Sequence, residues 1–354
     1  MEILITGALP PKRIAEALIK EIPQDSAFIK RLQQHKATLH QLDSELIGCT
    51  PAEYYRVQQQ EFSPTAGQRY VDAIPALDYQ NKKIEDNHGI YTLALCNIHI
   101  DFQSTRLFPS HELQITKEQS LALFEAVKYL FADKKIKLIA INVDHWVISL
   151  PQSLVHNISS PNLLSYQALH DYWPKEESNQ ALRQLLNEVQ MLWHEHPVNQ
   201  TRKEQGLREI NSPWIYGGAH PKQIEAQPSY PYAIISTLEQ AYRNEDWGRW
   251  LDLLPQLEKD IKTIQSPQYH QARAEAAARA NNPFNSLKPG QEESEPHPDI
   301  FYRGQNQAQN TKKEPSFLLA GYDQLIKLEP LSFWQRTVNN FKNSTDWKSW
   351  WHQS

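Results

Sequence analysis

The chain has 354 residues, 22% of them charged and 40% hydrophobic, so it carries enough apolar material for a core and is not a disordered polymer. Lys and Arg (36) against Asp and Glu (41) leave a net charge of −5, and this weak acidity without a basic run argues against nucleic acid or an anionic membrane as the main partner. Two cysteines, Cys49 and Cys96, are too few to staple a chain of this length, which points to a reducing compartment. Met1 to Pro10 has no cationic region followed by a long apolar one, and no stretch reaches the roughly 18 apolar residues that span a bilayer. A cytoplasmic protein without a transmembrane segment is expected.

Glu2 to Thr6 is a short β-branched apolar run that Gly7 and Pro10-Pro11 stop, so it predicts an N-terminal strand. Helical spacing follows over Lys12 to Gln34. Thr50, Pro51 and Glu53 form a capping-box pattern that starts a helix running to Phe62. Gly89 to Asp101 reads as a strand. Thr116 with Gln119 caps a helix whose apolar positions include Leu121, Phe124, Val127 and Phe131. Lys137 to Leu150 reads as one bent strand or a hairpin around Asn142 to Asp144. The clearest helix is Ser178 to His194, with Leu182, Leu185, Val189, Leu192 and Trp193 near one face and Pro197 after it. Tyr230 to Ser236 is a strand candidate, and Leu238 to Ile264 is helical with a break expected at Pro255.

Composition shifts near Ser266. Residues 1–265 are expected to form an α/β domain, a layered sheet with flanking helices, and 266–314 a flexible linker containing one short helix over Ala272 to Ala280. Residues 315–354 then supply a C-terminal strand (Phe317 to Gly321) and a Trp-rich helix. The aromatic group Trp334, Trp347, Trp350 and Trp351 either packs back on the domain or docks a protein partner or a membrane interface.

The segment densest in chemistry is Asn187 to His220. His196, Asn199, Arg202, Gly206, Asn211, Trp214, Gly217 and Gly218 lie in it. Arg can grip a carboxylate or phosphate with two prongs, and paired glycines let a backbone approach a ligand closely. The same residues equally suit a buried brace, since buried polar groups need partners. His194-x-His196 does not match a helical zinc motif, because residues two apart point away from each other. Asp144-His145 and His99-x-Asp101 pair carboxylates with imidazoles, but no Gly-x-Ser-x-Gly, Walker loop or Gly-x-Gly-x-x-Gly is present.

The string Asn-Glu-Val-Gln-Met-Leu from Asn187, then His196-Pro197-Val198-Asn199-x-x-Arg202, Gly206, Asn211-Ser212-x-Trp214 and Gly217 resembles a bacterial family of RpfE-type regulatory, phosphoglycerate mutase-like proteins. The likeness covers about residues 89–224. The segment from His196 to Gly217 is also similar, more distantly, to archaeal-type cofactor-independent phosphoglycerate mutases. That resemblance implies an alkaline-phosphatase-like α/β fold, two divalent metals and a transiently phosphorylated serine. In those enzymes the first strand ends in Asp-Gly and the Asp binds metal, whereas Gly7 here follows a strand without Asp. The resemblance therefore implies a degenerate relative with no cofactor, a regulatory role, and a small phosphorylated or carboxylate ligand. The alternative is a metal-dependent mutase or phosphatase holding Mn or Zn, with His99, Asp101, Asp144, His145, His196 and His220 as its pool of ligands.

Overall fold

The computed structural model describes residues 1–23, 26–101, 104–133, 136–152, 157–165, 169, 180–225, 232–271, 300–303, 315–331, 348 and 351. In chain order the strands are β1 (Glu2–Thr6), β2 (His35–Gln41), β3 (His88–Ile100), β4 (Thr105–Phe108), β5 (Lys137–Ile141), β6 (His145–Pro151), β7 (Ser212–Gly217), β8 (Tyr232–Ile235), β9 (Ile300–Arg303), β10 (Ser316–Ala320) and β11 (Gln324–Pro330). The helices are α1 (Lys12–Glu21), α2 (Ala27–Gln33), α3 (Ser44–Ile47), α4 (Pro51–Gln58), α5 (Tyr70–Ala73), α6 (Lys117–Asp133), α7 (Pro161–Leu164), α8 (Gln180–His194), α9 (Pro197–Glu204), α10 (Glu239–Arg243), α11 (Trp247–Asp252) and α12 (Leu254–Gln265). This is a mixed α/β protein with two sheets and flanking helices. No described helix is long and apolar enough to cross a membrane.

The chain divides into two compact units, Met1–Leu42 with Pro228–Ser354, and Asp43–Gln227. This differs from the expected domain over 1–265. The reason lies in the first unit's sheet, ordered β2-β11-β10-β1-β8-β9. There β1 runs parallel to both β10 and β8, pairing Ile3 with Phe317 and with Ala233. Residues from both ends of the chain therefore build one sheet, and the second unit is an insertion between them. The expected linker over 266–314 also contains β9, paired antiparallel with β8, and the C-terminal segment has two strands, β10 and β11, where one was expected. The expected helix over Ala272 to Ala280 lies outside the described residues.

The core of the first unit is read directly from β1. Ile3, Leu4 and Ile5 are fully buried, as expected of a central parallel strand covered on both faces. Trp250 and Trp351 lie against Phe28, and their indole N–H groups donate to the Gly7 and Ala8 carbonyls at 2.8 and 3.1 Å. Trp351 thus packs back onto its own unit. Trp334, Trp347 and Trp350 lie outside the described residues. The helical pattern over Lys12 to Gln34 is divided into α1 and α2, because Pro23 cannot continue a helix and Ser26 caps the next one through Ile29 N–H. The helical pattern over Leu238 to Ile264 breaks at Leu253, next to Pro255, which sits in the first turn of α12 where a missing N–H costs little, and it breaks a second time near Glu245, whose φ is 53°.

In the second unit β3 is central: β6 and β7 flank it and β4 extends it. Lys137 to Leu150 is a hairpin, β5 against β6, turning at Asn142 to Asp144. The capping box at Thr50 forms as its spacing predicts, and Thr116 and Gln119 cap α6 reciprocally. On α6 the buried face holds Leu123, Phe124, Val127 and Phe131, while Leu121 is exposed. On α8 Leu185, Leu186, Val189 and Trp193 are buried, and Leu192 is not. Trp146 lies edge-on to both Phe124 and Trp193 at the centre of this core.

Candidate functional site

The motif residues of the second unit bond chiefly to the chain itself. Asn199 is fully buried on α9. Its amide donates to the carbonyls of Trp193 (2.9 Å) and Ile210 (2.8 Å), and its side-chain oxygen accepts from Ile210 N–H at 2.8 Å. Arg202 is also fully buried. Its Nε donates to the Arg208 carbonyl at 2.7 Å, one terminal nitrogen to Gln119 Oε1 at 2.8 Å, and the other to the Leu113 carbonyl. A guanidinium so engaged has no free fork for a ligand. Asn211 extends the β3–β7 ladder with its side chain, accepting from Ile98 N–H at 2.8 Å and donating to the Ile98 carbonyl at 2.9 Å. Trp214 donates to the Ser159 carbonyl at 2.9 Å, and Gly206 holds a φ of 70° after α9. These residues tie α6, α8, α9 and β3 together.

The expected metal pool is spread out. His196 caps α9: its Nδ1 accepts from Val198 N–H at 3.2 Å, and burial lowers its pKa. His220 does the same for a 3-10 turn at Pro221–Gln223, accepting from Lys222 N–H at 3.0 Å. Burial and the Lys222 charge lower its pKa. Asp101 closes a turn by accepting from Ser104 N–H, while His99 stands exposed beside Phe108. Asp144 and His145 form a 2.7 Å pair on the β5–β6 turn, and Asn142 lies 2.9 Å from the other imidazole nitrogen. Burial, the largest single influence, works to raise the Asp144 carboxyl, but the His145 hydrogen bond and charge, a backbone hydrogen bond and the His111 charge together leave it lowered. Among the described residues no three His, Cys, Asp or Glu side chains gather where they could hold a metal ion. Set apart in this way, the six do not fit a two-metal centre.

Each unit has a pocket. In the first unit, about 350 Å³ opens beside the carboxyl ends of β1 and β10, lined by Leu9, Lys12, Tyr242, Tyr322, Asp323 and Gln324 among others. Crevices outside the carboxyl ends of parallel strands are the usual ligand positions in open α/β sheets. At the strand end the Thr6 hydroxyl donates to Glu239 at 2.8 Å, and Glu239 also pairs with Arg243. Gly7, at φ 68°, lets the chain turn against Tyr242, where a Cβ would come within 2.9 Å of the Tyr242 Cβ. The chain then enters α1 through Pro11. No side chain caps this helix, its first turn has no acidic residue, and Lys12 and Arg13 open it. Among the described residues no carboxylate forms an ion pair with either cation. Gln324 is only 9% exposed, and its Oε1 has no hydrogen-bond partner among the described residues.

In the second unit, a smaller pocket of about 220 Å³ is lined by Thr65, Gln68, Asp72, Tyr91, Gln152 and the backbone of Gly217 and Gly218, with Gly67 at its lip. The two glycines flagged by the sequence therefore line a pocket, unlike the rest of the motif. Sequence reasoning missed Lys12, Gln324 and Tyr91. The signal for Lys12 was present, since two cations directly after Pro-Pro at a helix start run against the helix dipole.

No family model matches the chain, and no curated protein matches it. Two solved structures show a slight likeness. The PH0037 protein from Pyrococcus horikoshii is 14% identical with a TM-score of 0.29, over 65% of this chain and 52% of that one. The present chain thus spans about half the length of that protein. A cofactor-independent phosphoglycerate mutase from Thermoplasma acidophilum is 12% identical with a TM-score of 0.29, over 94% of this chain and 89% of that one.

Proposed function

We propose that this chain is a phosphoglycerate mutase-like scaffold that binds a small phosphorylated or carboxylate molecule without turning it over, in a regulatory role of the kind the RpfE-type resemblance implies. One observation carries the reading: the start of α1, which is uncapped, bears Lys12 and Arg13, and borders the pocket at the carboxyl ends of β1 and β10. A helix N-terminus directs N–H groups and partial positive charge outward, and cations there lower helix stability unless an anion compensates them. The buried Gln324 Oε1, which has no partner among the described residues, accepts rather than donates, so in the same pocket it suits a hydroxyl of such a ligand and not its anionic group. Cys49 and Cys96 are buried and free, which suits the cytoplasmic setting that belongs to this reading.

Titration calorimetry with 3-phosphoglycerate and with inorganic phosphate tests the proposal, on the native chain and on Lys12→Glu, beside elemental analysis and a coupled mutase assay with added Mn²⁺. Binding that Lys12→Glu weakens tenfold or more, with no turnover, is the expected result. Near-stoichiometric metal together with conversion of 3-phosphoglycerate to 2-phosphoglycerate would overturn it in favour of the metal-dependent alternative.

A further inference from the structure

The pocket of the second unit has a chemistry unlike that beside α1. Its lining side chains include no Lys, Arg or His, and Asp72 is the one charged residue among them. The pocket beside α1 sets Lys12 beside its Asp323, whereas here no lining cation stands beside the carboxylate, so an anion is disfavoured. The remaining polar lining is neutral: the amides of Gln68, Gln152 and Asn157, the Thr65 hydroxyl and glycine backbone. Gln68 and Gln152 are oriented by the wall itself. Gln152 donates to the Gly218 carbonyl at 2.8 Å, and Gln68 accepts from Thr65 N–H at 2.9 Å and from Gln223 at 2.7 Å.

Within this wall Tyr91 stands out. It is fully buried, and its hydroxyl has no hydrogen-bond partner among the described residues. Buried hydroxyls nearly always find a partner, so one that lacks it calls for an explanation. The hydroxyl lies directly against Gly218, where a Cβ would come within 2.8 Å of it. Gly218 has a φ of 130°, and Gly67 a φ of 85° with open space where its Cβ would be. With Gly217, whose φ is 106°, the wall has three glycines at positions where backbone conformation favours glycine, and none of them contributes a side chain. Burial and the Asp72 charge raise the Tyr91 pKa, so the phenol keeps its proton and acts as a donor.

We infer that this pocket is a second ligand site, for a small uncharged molecule bearing several hydroxyl groups, of the monosaccharide or polyol class, whose oxygen accepts from Tyr91. At about 220 Å³ the pocket is smaller than the roughly 300–1,000 Å³ of drug-sized sites, which limits the ligand to one ring or a short chain. Hydroxyl groups, each both donor and acceptor, match amides that offer both functions and a carboxylate that only accepts. The inference does not depend on the anion site, since it uses another unit and other residues.

Saturation-transfer NMR and thermal shift with D-glucose, myo-inositol and glycerol, with inorganic phosphate as the contrasting probe, test it on the full-length chain. At least one neutral probe raises the melting temperature, Tyr91→Phe weakens its binding tenfold or more, and Lys12→Glu leaves it unchanged. Tyr91→Phe removes only an unpartnered atom, so the variant without ligand melts at or above the native temperature. Absence of binding by all three neutral probes, equal binding to Tyr91→Phe, a lowered melting point of that variant, or loss of neutral-probe binding in Lys12→Glu would each overturn the assignment.

Discussion

Two of the helices that begin at or just after a proline, α9 and α1, do so in opposite ways. At α9 the chain closes the helix end itself: His196 caps it, Pro197 takes the first position, and Asn199 and Arg202 turn inward to satisfy six groups of the surrounding backbone and side chains. At α1 the chain leaves the end open, with no cap and with Lys12 and Arg13 facing an end that is already positive. The contrast separates a motif that maintains the fold from a surface suited to binding. It also shows that the residue types most suggestive of ligand recognition, Asn and Arg, sit in the closed region.

The comparison can be broken most severely at the closed end. Asn199→Ala leaves two carbonyls and the Ile210 N–H without their partner in a fully buried place, and is expected to cost about 4 kcal/mol, measured by urea unfolding. A loss under about 1 kcal/mol would mean that α9 is not braced by this side chain. Gly217→Ala comes next. It forces a Cβ into a φ of 106° and within 2.4 Å of Pro75 Cγ, for an expected loss of about 2–3 kcal/mol. At the open end the sign reverses. Lys12→Glu places a carboxylate at the first turn of α1 and is expected to stabilise the ligand-free chain by about 0.5 kcal/mol while removing anion binding. Destabilisation instead would show that Lys12 serves the fold.

The smallest effect sharpens the comparison through pH. His196 and His220 both accept a backbone N–H on Nδ1, which protonation forbids, and burial lowers both pKa values. The unfolded chain therefore binds more protons than the folded one just below the usual histidine value of about 6.5. Stability present above that value is lost as pH falls from about 7 towards 5. His196→Asn keeps a capping side chain that does not titrate, so its urea midpoint should fall less steeply over that range. An unchanged slope would remove His196 from the account.

Local chemistry was legible in the sequence, and pairing over long distances was not. The Thr50–Glu53 box and the α6 cap follow from spacings of three residues, and both form. The hairpin at Asn142 likewise follows from neighbours. β2 (HKATLHQ) escaped notice because it is a polar edge strand whose only neighbour in the sheet is β11, from the far end of the chain. The division into two units was hidden for the same reason, since β1 alone does not reveal that Tyr232 and Ser316 will flank it. For the motif, the sequence singled out Asn199, Arg202 and Asn211 but left brace and ligand grip open. Deciding between them required the carbonyls of Leu113, Trp193 and Ile98, none of which has a side-chain signature. Tyr91 gave no signal at all, because a tyrosine in an apolar strand looks like core until its hydroxyl is followed.

The placement of β1 also sets an order of events during synthesis. The strand leaves the ribosome before both of its parallel partners, which begin at Tyr232 and Ser316. Until both have emerged, Ile3, Leu4 and Ile5 form an apolar strand with two unpaired edges, the kind of segment that associates with other nascent chains or is held by a chaperone. Residues 43–227 form their own compact unit and so can fold while β1 waits. Elongation that stalls between Gln227 and Ser316 would therefore release a chain with one folded unit and one exposed strand, and quality control would meet this protein in that form.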